Sequence, residues 1–214
     1  MTLLIPAPPY LERVVVDGSD RAAWEAARRP FWGASDAKTF AKAESIDRYL
    51  IAKLAPKSFH GNEYTEQGHR WEPLMLEYAA IPQNVALVRS PHNDAWACTP
   101  DGIRVEPTGR LTLAECKVRH GKVYDGPAKA EWRQLAFQFE CFPEADEIAF
   151  LWVELVRDAN GEWQLREGLH GRPRMLAIRR DHPEIVAARA TILPIATELA
   201  TRLRVALSYE RSAA

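Results

Sequence analysis

Residues 97–118, ACTPDGIRVEPTGRLTLAECKV, contain two short runs of β-forming residues with a turn between them. The Pro-Thr-Gly segment at 107–109 is typical of such a turn, so the sequence predicts two neighbouring strands. Side chains of a strand alternate between its two faces, and Glu115 and Lys117 therefore share one face. We expect this acid and this amine to flank one point near Asp101.

The second strand, LTLAECKV, carries two charged residues among mostly apolar ones. Burying unpaired charges is costly, so Glu115 and Lys117 must pair with other groups or bind an ion. The carboxylates of Asp101 and Glu115, with the backbone carbonyl of Cys116, are the hard oxygen ligands that Mg²⁺ prefers. Lys117 would then position or activate the water that attacks a phosphodiester. The alternative is an ordinary turn aspartate followed by an exposed Glu/Lys strand edge.

Residues 65–80 are predicted to form a helix that carries a third candidate carboxylate. The apolar face of this helix consists of Trp71, Leu74, Met75, Tyr78 and Ala79. Pro73 interrupts the pattern, and we expect a kink or a fresh helix start just after Glu72. Glu72 lies off the apolar face, where it would reach a second metal ion; the alternative is a solvated helix residue.

A helix predicted over residues 128–142 has two contrasting faces. Its buried face consists of Trp132, Leu135, Ala136, Phe139 and Phe142. Glu131, Gln134 and Gln138 fall on the opposite face. Gln134 and Gln138 lie one turn apart and would hydrogen-bond a metal-bound water or a DNA phosphate, unless this face is simply solvated.

The rest of the chain alternates predicted helices and strands. Helices are predicted over residues 18–29, 35–54 and 183–208, the last bent at Pro194. Strands are predicted over residues 85–88, 95–98, 103–105, 111–118, 148–155 and 175–178 and near Trp163, with a hairpin turn at Asn160-Gly161. This order indicates an α/β (α+β) fold in which helices pack on a mixed β-sheet.

Length and composition restrict the class of protein. A chain of 214 residues favours a single domain over residues 1–214, since chains divide mainly beyond roughly 250 residues. Twenty-eight basic and 29 acidic residues give a net charge of −1, which excludes a polycationic surface and leaves only a local patch for nucleic acid.

No apolar run approaches the roughly 20 residues of a membrane span, and the first residues lack the pattern of a secretory signal. We expect a cytoplasmic protein whose three cysteines are reduced.

A local basic surplus lies beside the predicted site. Residues 117–133 contain five Lys or Arg against Asp125 and Glu131, a surplus of three. This segment is a candidate DNA face, and the alternative is a charged loop that is simply solvated.

Four blocks of the sequence occur in a distinctive order. They are WEAARRPFWGASD at 24–36, GHRWEPLMLEY at 68–78, ACTPDGI at 97–103 and Glu115-Cys116-Lys117. Together they resemble the lambda-type exonucleases, also called YqaJ-like viral recombinases, of the PD-(D/E)xK nuclease superfamily. The likeness covers nearly the whole chain. It implies a restriction-endonuclease-like fold, with a central mixed β-sheet flanked by helices.

The resemblance also implies roles for individual residues. Asp101 and Glu115 would be metal ligands, and Lys117 would be the catalytic lysine. Glu72 would serve the second metal ion or its water. Gln134 matches the glutamine of the family's Tyr-x-x-Gln helix. The cofactor would be Mg²⁺, with Mn²⁺ substituting for it.

Arg28 and Ser35 lie where the family holds the 5′-phosphate of the digested strand, with Arg29 as an alternative. A guanidinium grips phosphate with two hydrogen bonds, and Ser35 at a helix start adds donors. A phosphate site at a fixed distance from the metal ions would make the enzyme cleave at a fixed distance from a DNA end rather than internally. The sequence departs from the family at Glu131, which replaces the tyrosine expected three residues before Gln134.

The resemblance therefore implies a Mg²⁺-dependent exonuclease that degrades the 5′-ended strand of linear double-stranded DNA. The product would be a 3′ single strand for phage-type recombination, passed to a single-strand annealing protein. Family members form trimeric rings, so a homotrimer is expected, without any membrane partner. Two alternatives stay open: an endonuclease or restriction-like nuclease of the same superfamily, and a non-catalytic recombination protein that binds DNA ends.

Overall fold

The structure, a computed structural model, describes residues 7–55, 62–167 and 171–213. The strands are β1 (Val14–Val16), β2 (Leu87–Arg89), β3 (Ala97–Cys98), β4 (Gly102–Val105), β5 (Leu111–His120), β6 (Glu147–Arg157), β7 (Trp163–Leu165) and β8 (Arg174–Arg179). The helices are α1 (Arg21–Arg28), α2 (Ala34–Ala37), α3 (Ile46–Leu54), α4 (Glu63–Tyr78), α5 (Lys129–Cys141) and α6 (Pro183–Ala213). Within these ranges no helix combines the length and apolar composition needed to cross a membrane.

The predicted strand pair lies in a mixed sheet of five strands within the described residues. β4 pairs antiparallel with β5, and β5 pairs in parallel with β6, where Glu115 stands opposite Phe150. β7 and β8 pair antiparallel with different parts of β6. β1, β2 and β3 form a separate three-stranded antiparallel sheet. The predicted α/β fold with a mixed sheet is confirmed, whereas the division of the strands between two sheets is a feature that local sequence patterns do not predict.

Different helices cover the two faces of the central sheet. Leu111 and Leu113 of β5 pack into the apolar core that also contains α5 and α6. Ala114 and Cys116, on the other face of β5, pack with α4. β6 is apolar on both faces because both are covered, as in a strand at the middle of a layered fold. Glu115 therefore lies on the α5 side of the sheet.

The predicted helix over residues 35–54 is wrong in its middle. α2 ends at Ala37, and α3 begins only at Ile46. Between them Phe40 is completely buried, and its ring centroid lies 5.4 Å from that of Trp32 and 5.5 Å from that of Tyr49. The chain leaves the helix here because burying this aromatic ring among two others offsets the helical hydrogen bonds that are lost.

α4 continues through Pro73, so a fresh helix start at that point is wrong. The predicted apolar face is also partly wrong, because Leu74 and Tyr78 are exposed whereas Leu76 is buried. α4 packs very close to the start of β4: a Cβ added at Gly102 would lie 2.8 Å from a methyl carbon of Leu76. The glycine in the predicted strand pair is therefore what lets α4 approach the sheet.

The helices at the two ends of the described chain agree with their predictions. α1 begins after Asp20, whose side chain accepts hydrogen bonds from the N–H groups of Ala22 and Ala23. α6 continues through Pro194 and extends five residues beyond residue 208, to Ala213, while the bend at Pro194 stays a prediction.

Candidate active site

The carboxylate of Glu115 is buried and held by two side-chain amides. Gln134 Nε2 donates to its Oε1 over 2.6 Å, and Gln138 Nε2 donates to its Oε2 over 2.5 Å. The two glutamines lie one turn apart on α5 and therefore reach the same carboxylate. The solvated face considered for them is wrong, because Gln134 is 7% exposed and Gln138 is 0% exposed. α5 lies between the central sheet and α6, so its polar face is covered as well.

The carboxylate of Asp101 lies against the strand that carries Glu115. Its Oδ2 accepts a hydrogen bond from the backbone N–H of Cys116 over 2.6 Å. Burial raises the pKa of Asp101 well above its usual range, and the negative charges of Glu115 and Glu72 raise it further. A nearby cation would favour the ionised form of such a carboxyl group.

The ammonium group of Lys117 contacts two of the three atoms predicted as metal ligands. Its Nζ donates to Glu115 Oε1, and it donates to the carbonyl oxygen of Cys116 over 3.2 Å. Burial alone would lower the pKa of Lys117, but the negative charges of Glu115 and Asp101 raise it overall. Asp101, Glu115 and Lys117 thus converge, while their catalytic roles stay predictions.

The oxygen atoms at this point suit a hard divalent cation. Two carboxylates, of Asp101 and Glu115, and the carbonyl of Cys116 are the ligand type that Mg²⁺ takes. The ammonium of Lys117 already places one positive charge on two of these oxygens, Glu115 Oε1 and Cys116 O. The residues present therefore fit a Mg²⁺ ion.

Water would have to complete such a site. Within the described ranges, no group of three or more His, Cys, Asp or Glu side chains is arranged to hold a metal ion. The side-chain carbonyl oxygens of Gln134 and Gln138 are buried and have no hydrogen-bond partner in the described part of the chain. Buried acceptors normally find a donor, so these two oxygens can each accept a hydrogen bond from a water molecule.

Glu72 lies near this pair of carboxylates and has a hydrogen-bond partner of its own. Its Oε1 accepts a hydrogen bond from Gln83 Nε2 over 3.0 Å. Its charge still contributes to the raised pKa of Asp101. The structure thus brings Glu72 into the neighbourhood, and its role at a second metal ion stays a prediction.

Arg28 and Ser35 are brought together, as the resemblance implies. Arg28 donates to Ser35 Oγ over 2.6 Å, and its guanidinium lies 3.6 Å from Asp36 Oδ1. The same guanidinium lies 5.2 Å from the ring centroid of Trp24. The indole N–H of Trp24 donates to Thr99 Oγ1 over 3.2 Å, which links this pair to the segment that carries Asp101.

Arg29, the alternative to Arg28, is directed elsewhere. Its guanidinium pairs with Glu210 of α6, and its side chain is mostly exposed. Arg28 is therefore the arginine that shares a site with Ser35, and the binding of a 5′-phosphate there stays a prediction.

Glu131 occupies the position where the resemblance expects tyrosine, and it is buried in an ion pair. Arg119 donates two hydrogen bonds to its carboxylate, over 2.7 Å and 2.6 Å. The backbone N–H of Ala128 donates to Glu131 Oε2 over 2.7 Å, which caps the start of α5. The guanidinium of Arg119 lies 4.3 Å from the ring centroid of Tyr124. An internal ion pair thus takes the place that the tyrosine would fill.

The basic surplus over residues 117–133 is largely internal. Three of its five basic residues make contacts within the protein, namely Lys117, Arg119 and Arg133. Only Lys122 and Lys129 are exposed. A DNA face in this segment would therefore depend on two lysines.

Lys38 is a site residue that the sequence motifs do not reveal. It directly follows α2, is half-buried, and interacts electrostatically with Lys117, Glu115 and Glu131. Its spacing from Ser35 could have indicated this position in the sequence. Residues three apart share one face of a helix, so Lys38 lies on the same face as the predicted phosphate ligand Ser35.

Comparison with solved structures shows the fold. The alkaline exonuclease LHK-Exo from Laribacter hongkongensis matches with a TM-score of 0.60 and 18% identity, over 90% of this chain and 100% of that one. Its complex with dAMP matches with a TM-score of 0.58 and 19% identity, over the same shares, 90% and 100%. A phage-related exonuclease from Haemophilus somnus 129PT matches with a TM-score of 0.50 and 13% identity, over 92% of this chain and 93% of that one.

The chain has the fold of these exonucleases. The fold implied by the four sequence blocks is therefore confirmed. No family model matches the chain, and no curated protein is similar to it at a significant level.

Proposed function

We propose that this protein is a Mg²⁺-dependent exonuclease that degrades the 5′-ended strand of linear double-stranded DNA. One observation carries the proposal: the Glu115 carboxylate, the Cys116 carbonyl and the Lys117 ammonium converge beside Asp101. This residue set suits metal-assisted phosphodiester hydrolysis, and it lies on a fold shared with an alkaline exonuclease and a phage-related exonuclease.

Each group at this point has a distinct task. Asp101, Glu115 and the Cys116 carbonyl would hold Mg²⁺, and Mn²⁺ would substitute for it. The metal ion would supply an activated water and stabilise negative charge on the attacked phosphate. Lys117 would position the attacking water and contribute positive charge beside the phosphate. The side-chain oxygen of Gln134, which has no hydrogen-bond partner among the described residues, would accept a hydrogen bond from that water and so orient it.

Arg28 and Ser35 supply the preference for DNA ends. Their direct hydrogen bond holds a guanidinium and a hydroxyl together as a donor pair for a terminal 5′-phosphate. The Trp24–Thr99 hydrogen bond couples that pair to the Asp101 segment, and this would fix the distance from the terminal phosphate to the reacting phosphate. LHK-Exo, which shares this fold, has been solved with dAMP, a 5′-mononucleotide.

The biological setting extends the same proposal. Removing the 5′-ended strand leaves a 3′ single strand, the substrate for an annealing protein in phage-type recombination. A trimeric ring that threads duplex DNA, in the cytoplasm of a bacterial or phage-infected cell, would suit this activity.

One assay tests the proposal. Linear duplex with a 5′-phosphate on one chosen strand, and closed circular duplex, are incubated with the protein with and without Mg²⁺. The proposal expects mononucleotides from the phosphorylated strand of the linear duplex, with Mg²⁺ only, and an intact circle. Cleavage of the circle would indicate an endonuclease of the same superfamily. End binding without any digestion would indicate a non-catalytic end-binding protein.

A further inference from the structure

Lys38 stands at the junction of the Arg28–Ser35 pair and the carboxylate site. It follows α2 directly and keeps helical backbone angles, so its side chain shares a face with Ser35, three residues earlier. Its carbonyl oxygen accepts a hydrogen bond from Arg133 Nε over 2.9 Å, which fixes the end of α2 against α5. The backbone that carries Lys38 is thus anchored to the helix that carries Gln134.

The charged groups that surround the Lys38 ammonium already have partners of their own. Lys38 interacts electrostatically with Lys117, Glu115, Glu131 and Arg119. Lys117 pairs with Glu115, and Arg119 pairs with Glu131. Within the described residues the Lys38 ammonium itself makes no ion pair or hydrogen bond.

This arrangement leaves the Lys38 ammonium without a direct partner among the described residues. Burial and the like charge of Lys117 lower the pKa of Lys38 overall, although the negative charges of Glu115 and Glu131 raise it in part. A half-buried ammonium without a hydrogen-bond partner is costly, and an anion that contacted it directly would lower that cost. Phosphate is the anion that a DNA strand would bring to this place.

We propose that Lys38 binds the first internucleotide phosphate of the 5′-ended strand, the phosphate that is to be cleaved. Arg28 and Ser35 hold the terminal phosphate, and Lys38, on the same helix face as Ser35, holds the next one toward Glu115 and Lys117. Lys38 then sets the register of the strand. This inference rests on the proposed function, since it assumes that the strand enters by its 5′ end.

The test compares three duplexes and three variants by fluorescence anisotropy at one fixed salt concentration, with Ca²⁺ in place of Mg²⁺ to slow cleavage. The first duplex is fully charged, the second carries a neutral methylphosphonate at the first linkage of the 5′-phosphorylated strand, and the third carries it at the fourth linkage. The variants are Lys38→Met, Lys38→Arg and, as a matched control, Lys42→Met. Lys42 is an exposed lysine four residues further on.

Lys38→Met is expected to bind the fully charged duplex about tenfold more weakly, which corresponds to about 1.4 kcal/mol. It should also bind the third duplex more weakly than the parent does. On the second duplex, whose first linkage is neutral, Lys38→Met and the parent should have the same affinity. Lys38→Arg and Lys42→Met should stay close to the parent throughout. If Lys38→Met loses as much affinity relative to the parent on the second duplex as on the first, the proposal is overturned.

The parent protein alone gives an independent check, so that misfolding of a variant cannot hide the answer. Equal affinity of the parent for the first and second duplexes would also overturn the role of Lys38. Digestion of linear duplex by the parent with Mg²⁺ tests the proposed function separately. Failure of the Lys38 proposal is therefore distinguishable from failure of the function itself.

Discussion

Arg119 and Glu131 face each other in a buried ion pair that joins β5 to the first turn of α5. Two hydrogen bonds connect them, over 2.7 Å and 2.6 Å, and both side chains are less than a tenth exposed. The pair lies between the strand that carries Glu115 and the helix that carries Gln134. We infer that it holds these two elements in register.

Breaking this pair on one side should destabilise the protein strongly. Glu131→Ala leaves the Arg119 guanidinium buried without its partner, and loss of one partner of a buried pair costs about 3–5 kcal/mol. The free energy of unfolding, from urea denaturation followed by circular dichroism, measures the effect. The matched control is Arg119→Met combined with Glu131→Leu, which removes both charges and should cost clearly less. Equal losses in the single and double variants would contradict the pairing.

The same pair should make stability depend on acidity. Burial alone would raise the pKa of Glu131, but hydrogen bonds from Arg119 and from the Ala128 N–H, with the charge of Arg119, lower it overall. A carboxyl group with a lowered pKa in the folded protein contributes stability above its ordinary pKa, and this stability is lost as the pH falls through the lowered value. The urea concentration at half-unfolding is measured from pH 6 down through the lowered pKa of Glu131. It should fall more steeply with decreasing pH for the parent than for the double variant. Parallel pH profiles would exclude a linkage through Glu131.

Removing the amine of the candidate active site should abolish most of the chemistry. Lys117→Met keeps the aliphatic stem and removes the charge, so digestion of linear duplex should slow by about 10²- to 10⁴-fold, the usual contribution of a positioned proton-transfer or charged group. Affinity for DNA should fall much less than the digestion rate, because the contacts of Lys117 in the free protein are internal. Lys122→Met, at an exposed lysine of the following loop, serves as the control. A digestion rate for Lys117→Met equal to that of the parent would remove Lys117 from the mechanism.

Arg28 should determine which ends are chosen. Arg28→Ala should reduce the preference for a 5′-phosphorylated end over a 5′-hydroxyl end by about tenfold, since hydrogen bonds to a charged group contribute about 1.5–3 kcal/mol. The digestion of 5′-hydroxyl ends should change little. Arg29→Ala is the matched control, because Arg29 pairs with Glu210 instead. If both variants keep the preference of the parent, the 5′-phosphate is bound elsewhere.

The local geometry of the site follows from the sequence to a considerable extent. Alternation along a strand predicts that Glu115 and Lys117 share a face, and their direct contact agrees with this. The turn at 107–109 predicts that β4 and β5 are neighbours, which the pairing of Gly102 with Ala114 and of Val105 with Leu111 confirms. Both features depend on residues close together in the chain.

Features that depend on distant packing were not predictable in the same way. Gln134 and Gln138 have the spacing of a solvated helix face, and only the position of α5 between the sheet and α6 buries them. The break in the predicted helix over residues 35–54 arises from the packing of Phe40 against Trp32 and Tyr49. Such contacts join residues whose proximity no local pattern encodes.

The most direct test of the account is to locate the metal ion. Crystals of the protein grown with Mn²⁺ and measured for anomalous scattering should show a peak coordinated by Asp101, Glu115 and the carbonyl oxygen of Cys116. Lys117 should then lie beside the ion rather than among its ligands. Absence of a peak at these three oxygens, with a manganese ion bound at any other group of side chains, would contradict the central claim.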